Sequence, residues 1–200
     1  MSYGNKFVAF IDILGFTNMI MKSQDNPSDY HKVKAIVECV LEYTQGQRIL
    51  SDMINTHNQK CENDRYPGAN EIAVFSDSIV ISYAIGDGLD SIIMNMSCLI
   101  LDLLEMDVFV RGGISCGKAE HEGNVCFGPA VITAYQLENT AQYPRVVVDE
   151  DAIRKHIEYI DDELKTKIES SGRVEQIELI RQIKKRHIDR GWQLFRRLSC

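Results

Sequence analysis

Residues 6–14 form a nearly continuous apolar run, KFVAFIDIL, which contains a single acidic side chain, Asp12. A run of this length and composition is typical of a buried strand. A chain of 200 residues is long enough to cover such a strand, since it buries roughly 70% of its unfolded surface on folding. We therefore expect the run to lie inside a folded domain that needs no disulfide and no metal for its stability.

The rest of the chain alternates strand patterns with helical stripes. Apolar residues recur at helical spacing in two long segments, from about 29 to 56 and from 89 to 104. The expected N-cap of the first of these helices is Ser28 or Asp29. The other predicted elements are a short helix at 17–22, a loop at 58–70, a hairpin at 71–83 that turns at Ser76-Asp77-Ser78, a strand at 107–115 broken at Gly112-Gly113, a polar turn at 118–124, a short strand at 125–127, a helix at 129–137 and a strand at 145–148.

This order of elements predicts an α+β fold of the ferredoxin-like kind, in which helices pack on a mainly antiparallel sheet. We expect two parts, a domain at 1–150 and a charged C-terminal helical extension at 151–200. Apolar stripes in the extension predict two helices, separated at Ser170-Ser171-Gly172. The basic cluster at 184–186 suggests a nucleic acid or a membrane surface, but a solvated helix face near a C-terminus is the favoured interpretation, because cations suit that end of the helix dipole.

Charge and composition exclude several classes of protein. The formal net charge is 22 − 29 = −7, with a pI near 5.3, so a nucleic-acid partner is not expected. No apolar run is long enough to span a membrane, and the N-terminus does not have the pattern of a signal peptide. None of the six cysteines forms a CxxC pair, which favours buried free thiols in a reducing cytoplasm. The histidines include no HExxH motif, so zinc hydrolysis has no support.

Two acids stand in positions that are costly for a carboxylate. Asp12 lies within the apolar strand, and Asp77 lies at the tip of the hairpin. If the first strand pairs beside the hairpin, both side chains reach the same edge of the sheet. Two carboxylates there repel each other unless divalent cations lie between them, and oxygen ligands of this kind suit Mg²⁺ or Mn²⁺.

The residues after Asp12 suit an anion. The chain turns there from strand to helix, which directs free backbone N–H groups outwards, and Gly15 allows a close approach of the backbone. The structural alternative is that Asp12 caps a helix or a turn and that Asp77 is only a good turn former. The two acids together with the strand–glycine–helix context favour the functional interpretation.

Four segments in this order resemble class III nucleotidyl cyclases over roughly residues 6–150. FIDILGFT at 10–17 is similar to the first metal-binding segment of that family, and SDS at 76–78 to its second. RGGISCG at 111–117 resembles the strand that follows, and GPAVITAYQLE at 128–138 the late helix. The resemblance implies a homodimer with composite active sites. It also implies two metal ions and cyclisation of a nucleoside triphosphate with loss of pyrophosphate.

The chain differs from the purine cyclases at the positions that recognise the base in those enzymes. Their two base-reading positions correspond to Ala73 and Val125, and their late-helix Asn and Arg to Ile132 and Gln136. The sequence pattern as a whole, including YPRVVVD at 143–149, is similar to that of the pyrimidine cyclases of the Pycsar antiphage defence system. That resemblance implies a uridylate cyclase that makes cyclic UMP for a separate effector. The alternatives are a cytidylate cyclase that makes cyclic CMP, and a catalytically dead nucleotide-binding dimer.

The resemblance also implies roles for individual residues. Asp12 and Asp77 are expected to hold two Mn²⁺ or Mg²⁺ ions about 3.5–4 Å apart, with the carbonyl of Ile13 as a further ligand. Arg111 is the first candidate for the missing transition-state arginine, with an ion pair as its structural alternative; Lys118 and Arg145 are lesser candidates. The implied substrate-binding residues are Phe10, Leu14, Gly15, Phe16 and Thr17.

A polymerase-like palm or a phosphodiesterase also uses paired carboxylates on a ferredoxin-like sheet. A polymerase needs a groove for nucleic acid, and the acidic balance of this chain argues against one.

Overall fold

A computed structural model of the chain describes residues 3–60 and 70–171. Its elements are β1 (Gly4–Ile13), α1 (Phe16–Ser23), α2 (Pro27–Lys60), β2 (Glu71–Phe75), β3 (Ser78–Ala84), a 3-10 turn (Ile85–Asp87), α3 (Gly88–Glu105), β4 (Val110–Glu122), β5 (Val125–Phe127), α4 (Pro129–Thr140), β6 (Val146–Val148) and α5 (Glu150–Ser171). The predicted α+β architecture is confirmed.

The chain separates into two compact units, residues 1–156 and 157–200. Of the second unit the structure describes the part of α5 that ends at Ser171. The predicted second helix of the extension and its basic cluster at 184–186 lie outside the described residues, and the predicted domain boundary at residue 150 stays a prediction.

One sheet organises the first unit. Its strands lie in the order β2-β3-β1-β4-β5, with antiparallel neighbours, and β6 pairs with β4 in parallel. The apolar run that the sequence places in the interior is β1, which has a hydrogen-bonded neighbour on each side. The predicted hairpin is formed by β2 and β3.

Helices cover both faces of β1, which explains why its apolar run does not alternate with polar residues. Phe7 and Ile11 point to one face and enter the main core with residues of α2 and α3. Val8 points to the other face and is covered by Ala130 and Ala134 of α4. Each fully buried side chain of this kind contributes about 1.5–3 kcal/mol.

The path of β4 corrects two predictions. The strand continues through Gly112 and Gly113, where a break was expected, and it extends to Glu122 through most of the expected turn at 118–124. A Cβ at Gly113 would lie 2.2 Å from the carbonyl oxygen of Ala134 and 2.6 Å from Cβ of Leu137. Glycine is required there because α4 packs directly on the strand, and the strand itself is not interrupted.

The ends of α2 also differ from expectation. The helix begins at Pro27, and its cap is Asn26, whose Oδ1 accepts a 2.9 Å hydrogen bond from the Ser28 N–H, so neither Ser28 nor Asp29 is the N-cap. At the other end, residues 58–60 are helical where a loop was expected. Positions 61–69 of that loop lie outside the described residues.

Two further features concern cysteines and membranes. The described cysteines, Cys39, Cys98, Cys116 and Cys126, are free thiols, but Cys98 is exposed and the other three are half-buried, so full burial was a wrong expectation. Within residues 3–60 and 70–171, no helix is both long and apolar enough to cross a membrane.

Candidate functional site

Asp12 and Asp77 meet at one edge of the sheet. Asp12 lies opposite Ser78 of β3 on one side and opposite Arg111 of β4 on the other. The N–H of Ile13 donates a 3.0 Å hydrogen bond to the carbonyl oxygen of Asp77. The β2–β3 turn that carries Asp77 includes Ser76 with a left-handed φ of 56°. Strand pairing therefore brings together two acids that are 65 positions apart in the sequence.

The field at Asp12 opposes a negative charge. Burial raises the pKa of the Asp12 carboxyl above its usual range, and the charges of Glu138 and Asp77 raise that pKa further. Arg111 acts in the opposite direction and is the smallest of the four influences. The three carboxylates and one guanidinium carry a formal charge of −3 + 1 = −2. A divalent cation has the charge that this cluster lacks.

Arg111 is shared between two acids. Its Nη2 lies 2.6 Å from Oε1 of Glu138 and 3.8 Å from Oδ2 of Asp12. The side chain of Glu138 is only 3% exposed, whereas those of Arg111 and Asp12 are 30% and 24% exposed. Glu138 is thus a buried acid, and its partner Arg111 reaches the candidate site.

Sequence reasoning gave no role to Glu138, although a signal was present. Ala130, Ala134 and Glu138 recur every four residues and form the buried face of α4. An acid on the apolar stripe of a helix is as costly as one in a strand. The helix was expected to end at residue 137, which left Glu138 outside its stripe.

The first turn of α1 follows Asp12 closely in the chain. Gly15 has a left-handed φ of 76° and precedes the helix, whose first N–H groups have no acceptor within the helix by geometry. The N–H of Leu14 already donates to the carbonyl oxygen of Phe109 at 2.9 Å. The side chain of Phe16 is buried in the core, so Phe16 has only its backbone to offer an anion, while Thr17 is exposed.

Three further residues were singled out in the sequence, namely Phe10, Arg145 and Lys118. Phe10 is half-buried and meets the ring of Tyr135 edge-on, with the centroids 5.3 Å apart. The carbonyl oxygen of Arg145 accepts a 3.0 Å hydrogen bond from the N–H of Gly112, next to Arg111. Lys118 lies seven residues along β4 from Arg111, a separation of about 23 Å in a strand, so the structure does not bring it to the two aspartates.

The positions that correspond to purine readers carry no polar group. Ala73 is buried in β2, and Val125 in β5 is 62% exposed. On α4, Ile132 is 58% exposed and Gln136 is also exposed.

The donor set fits a cation that arrives with a phosphate-bearing ligand. Among the described residues, no group of three or more His, Cys, Asp or Glu side chains is arranged to hold a metal ion. Asp12 and Asp77 supply two carboxylates, and Mg²⁺ in proteins is commonly held by one or two carboxylates with substrate phosphates and water completing its shell.

Two comparisons with known proteins return nothing, since no family model and no curated protein matches the chain. Solved structures do match. The catalytic core of a rhodopsin-guanylyl cyclase with converted specificity, in complex with ATPalphaS, superposes with a TM-score of 0.50 at 16% identity over 78% of this chain and 82% of that one. A Class III adenylyl cyclase-like ATP-binding protein from Pseudomonas aeruginosa gives a TM-score of 0.46 at 10% identity over 76% of this chain and 34% of that one. The first likeness shows that the chain has the class III cyclase fold.

Proposed function

We propose that this chain is a nucleotidyl cyclase, a phosphorus–oxygen lyase, and that it converts UTP to 3′,5′-cyclic UMP and pyrophosphate. The observation that carries the proposal is the meeting of Asp12 and Asp77 beside Arg111, at the edge of the sheet that leads into α1. The class III cyclase fold supports it. Two carboxylates beside a helix start and a guanidinium form a site for a metal-bound triphosphate.

The reaction forms a bond between the ribose 3′-oxygen and the α-phosphorus and breaks the bond from that phosphorus to the oxygen bridging to the β-phosphate. The electron pair of the broken bond leaves with pyrophosphate, and the 3′-hydroxyl proton leaves to water. When bound, two Mn²⁺ or Mg²⁺ ions would lower the pKa of the 3′-hydroxyl and neutralise charge on the triphosphate.

The residues of the chain hold this arrangement. Asp12 and Asp77 bind the cations, with the carbonyl of Ile13 as a further ligand. The backbone N–H groups of Gly15, Phe16 and Thr17 bind the β- and γ-phosphates; Leu14 takes part only if it gives up its bond to Phe109. Arg111 presents its guanidinium to the charge that develops on the transferring phosphate and on the leaving pyrophosphate.

The choice of a pyrimidine follows from what the purine-reading positions lack. Buried Ala73 and apolar Val125 offer no hydrogen bond to a base, so a site built to read adenine or guanine is not retained. The two awkward acids nevertheless remain, which favours an active enzyme over a dead binding module. In the cell we place this activity in the cytoplasm, in antiphage defence, where cyclic UMP activates a separate effector.

The proposed active form is a homodimer with composite sites. β5 and α4 carry exposed apolar side chains, among them Val125, Phe127, Ile132 and Tyr135 at 48–62% exposure. An apolar patch of this kind marks an interface. Because Tyr135 also contacts Phe10 of β1, the patch continues into the face that carries Asp12.

The test is incubation of the purified protein with each of the four nucleoside triphosphates and Mn²⁺, with products identified by mass spectrometry. Cyclic UMP and pyrophosphate from UTP are the expected products. Cyclic CMP from CTP would select the cytidylate alternative, and binding without product would select the dead module.

Substitution of the metal ligands ties the product to the site. Asp12→Ala and Asp77→Ala are each expected to lower the rate of pyrophosphate release by at least about 10³-fold, since they remove cation ligands, while far-UV circular dichroism stays unchanged. Asp102→Asn, an exposed acid on α3, is the matched control and is expected to retain the wild-type rate. A normal rate in either alanine variant would refute the mechanism.

A further inference from the structure

Glu138 is deeply buried, and a carboxylate is rarely buried to this degree without a specific partner. Its side chain is 3% exposed and lies on the face of α4 that packs against β4, in line with Ala130 and Ala134. Such a burial persists in proteins when the charge is paired. The partner here is Arg111, whose Nη2 lies 2.6 Å from Oε1 of Glu138.

The same guanidinium also pairs with Asp12. Nη2 of Arg111 is 3.8 Å from Oδ2 of Asp12, within ion-pair distance but farther than from Glu138. Coulomb attraction grows as distance falls, so Glu138 holds the guanidinium more strongly than Asp12 does in this arrangement. A guanidinium that moved fully onto Asp12 would take the charge and the oxygen atoms that a metal ion needs.

We infer that Glu138 is a positioning residue, which holds Arg111 off Asp12 and so keeps the Asp12 carboxylate available to a divalent cation. The inference rests on the metal site of the proposed function and adds to it a residue that never contacts the metal.

The geometry also leaves the guanidinium ready for a phosphate. Within the described part of the chain, Nε of Arg111 and Oε1 of Glu138 are buried and have no partner that meets hydrogen-bond geometry, although the ion pair itself is close. The side chain of Arg111 as a whole is 30% exposed, and the outer N–H groups of a planar guanidinium bind phosphate oxygens in pairs. Glu138 sets where those donors lie.

The experiment is a titration of the purified full chain with Mn²⁺ alone, in which electron paramagnetic resonance measures free Mn²⁺. In Glu138→Gln the guanidinium loses its nearer anion and pairs with Asp12, so Mn²⁺ affinity is expected to fall by about tenfold or more. In the double variant Glu138→Gln/Arg111→Met the competing cation is gone, and affinity is expected to return to within about twofold of wild type. Glu38→Gln, which breaks an exposed ion pair with Lys34 on α2, is the control and should bind as wild type.

Each outcome separates the inference from the proposed function. If wild type binds Mn²⁺ and Glu138→Gln binds it equally well, the positioning role is wrong and the cyclase proposal stands. If the double variant binds as poorly as Glu138→Gln, the effect is one of structure and the positioning role is again wrong. If wild type itself binds no Mn²⁺ in the absence of a nucleotide, this role fails, whereas the cyclase proposal, in which the cation arrives with the triphosphate, is decided by the product assay. Thermal unfolding of every variant verifies that each is folded.

Discussion

Asp12 carries a cost for the fold and has a proposed role in the candidate site. Its charge is opposed by burial and by the charges of Glu138 and Asp77, and the attraction of Arg111 is the smallest of these influences. The neutral amide of Asp12→Asn removes that repulsion, so we expect a gain of about 0.5–1 kcal/mol and a melting temperature about 2–4 °C higher at pH 7 in EDTA. Differential scanning calorimetry of the metal-free protein measures this shift.

The control for this prediction is Asp102→Asn, which removes an acid on α3, away from the cluster. It is expected to leave the melting temperature unchanged. A lower melting temperature in Asp12→Asn would mean that the acid stabilises the fold through its contact with Arg111, and that its position needs no functional explanation.

His121 shows the opposite kind of burial, that of a neutral ring. Burial and, to a smaller degree, the charge of nearby Lys6 lower the pKa of His121 to about 4, and the Gly123 backbone acts weakly the other way. Its Nδ1 is hydrogen-bonded to Ser82 Oγ at 2.8 Å, and Cys126 is its cross-strand neighbour.

Between about pH 6.5 and pH 4, His121 is therefore protonated in the unfolded chain but remains neutral in the folded chain. We expect stability to fall as pH falls through this window, by on the order of 3 kcal/mol in total, and to lose nothing more from His121 below pH 4.

Urea unfolding at pH 7, 6, 5 and 4.5 measures that slope. His121→Gln is expected to be less stable at pH 7, because it loses the Ser82 contact, but to show a flatter pH dependence than wild type. His31→Gln, at an exposed position on α2, is expected to keep the wild-type slope. Parallel slopes for wild type and His121→Gln would show that the folded ring takes up its proton over the same pH range as the unfolded chain, and would contradict the lowered pKa.

Among the elements, the contact between α4 and β4 positions the site, because it places Glu138 over Arg111. Gly113 makes the contact possible, since any side chain there would overlap the backbone of Ala134. Gly113→Ala should push the helix off the strand and cost about 2–3 kcal/mol or more. Gly46→Ala, in the exposed middle of α2 where a Cβ meets nothing within 4 Å, should instead stabilise by about 0.5–1 kcal/mol. Urea unfolding compares the pair, and equal effects would contradict the packing argument.

The apolar pattern predicted the elements well where it reflects burial directly: a helical stripe for the one buried face of α3, and a continuous apolar run for β1, which is covered on both faces. It failed where a contact between distant residues decides, since the glycines of β4 serve α4 and cannot be interpreted without it. The site divides in the same way. Asp12 was visible as an acid in an apolar run, whereas Glu138 matters only through its packing against a strand that lies 27 positions earlier.

At the scale of the whole molecule, the exposed apolar patch of β5 and α4 predicts self-association. Ile132 is 58% exposed and lies on the outer face of α4, while the buried face of the same helix carries Glu138. Ile132→Asp introduces a charge into the proposed interface, and we expect it to yield a folded monomer whose turnover is lower by about 10²-fold or more. Analytical ultracentrifugation and pyrophosphate release measure the two effects.

Met94→Asp is the matched control for Ile132→Asp, because Met94 is 72% exposed on α3, and α3 covers the opposite face of the sheet. It is expected to remain a dimer with the wild-type rate. Dissociation by Met94→Asp would move the interface to the α3 side and separate it from the aspartates. A wild-type protein that is monomeric and fully active would remove composite sites from the proposal, because Asp12, Asp77 and Arg111 would then suffice within one chain.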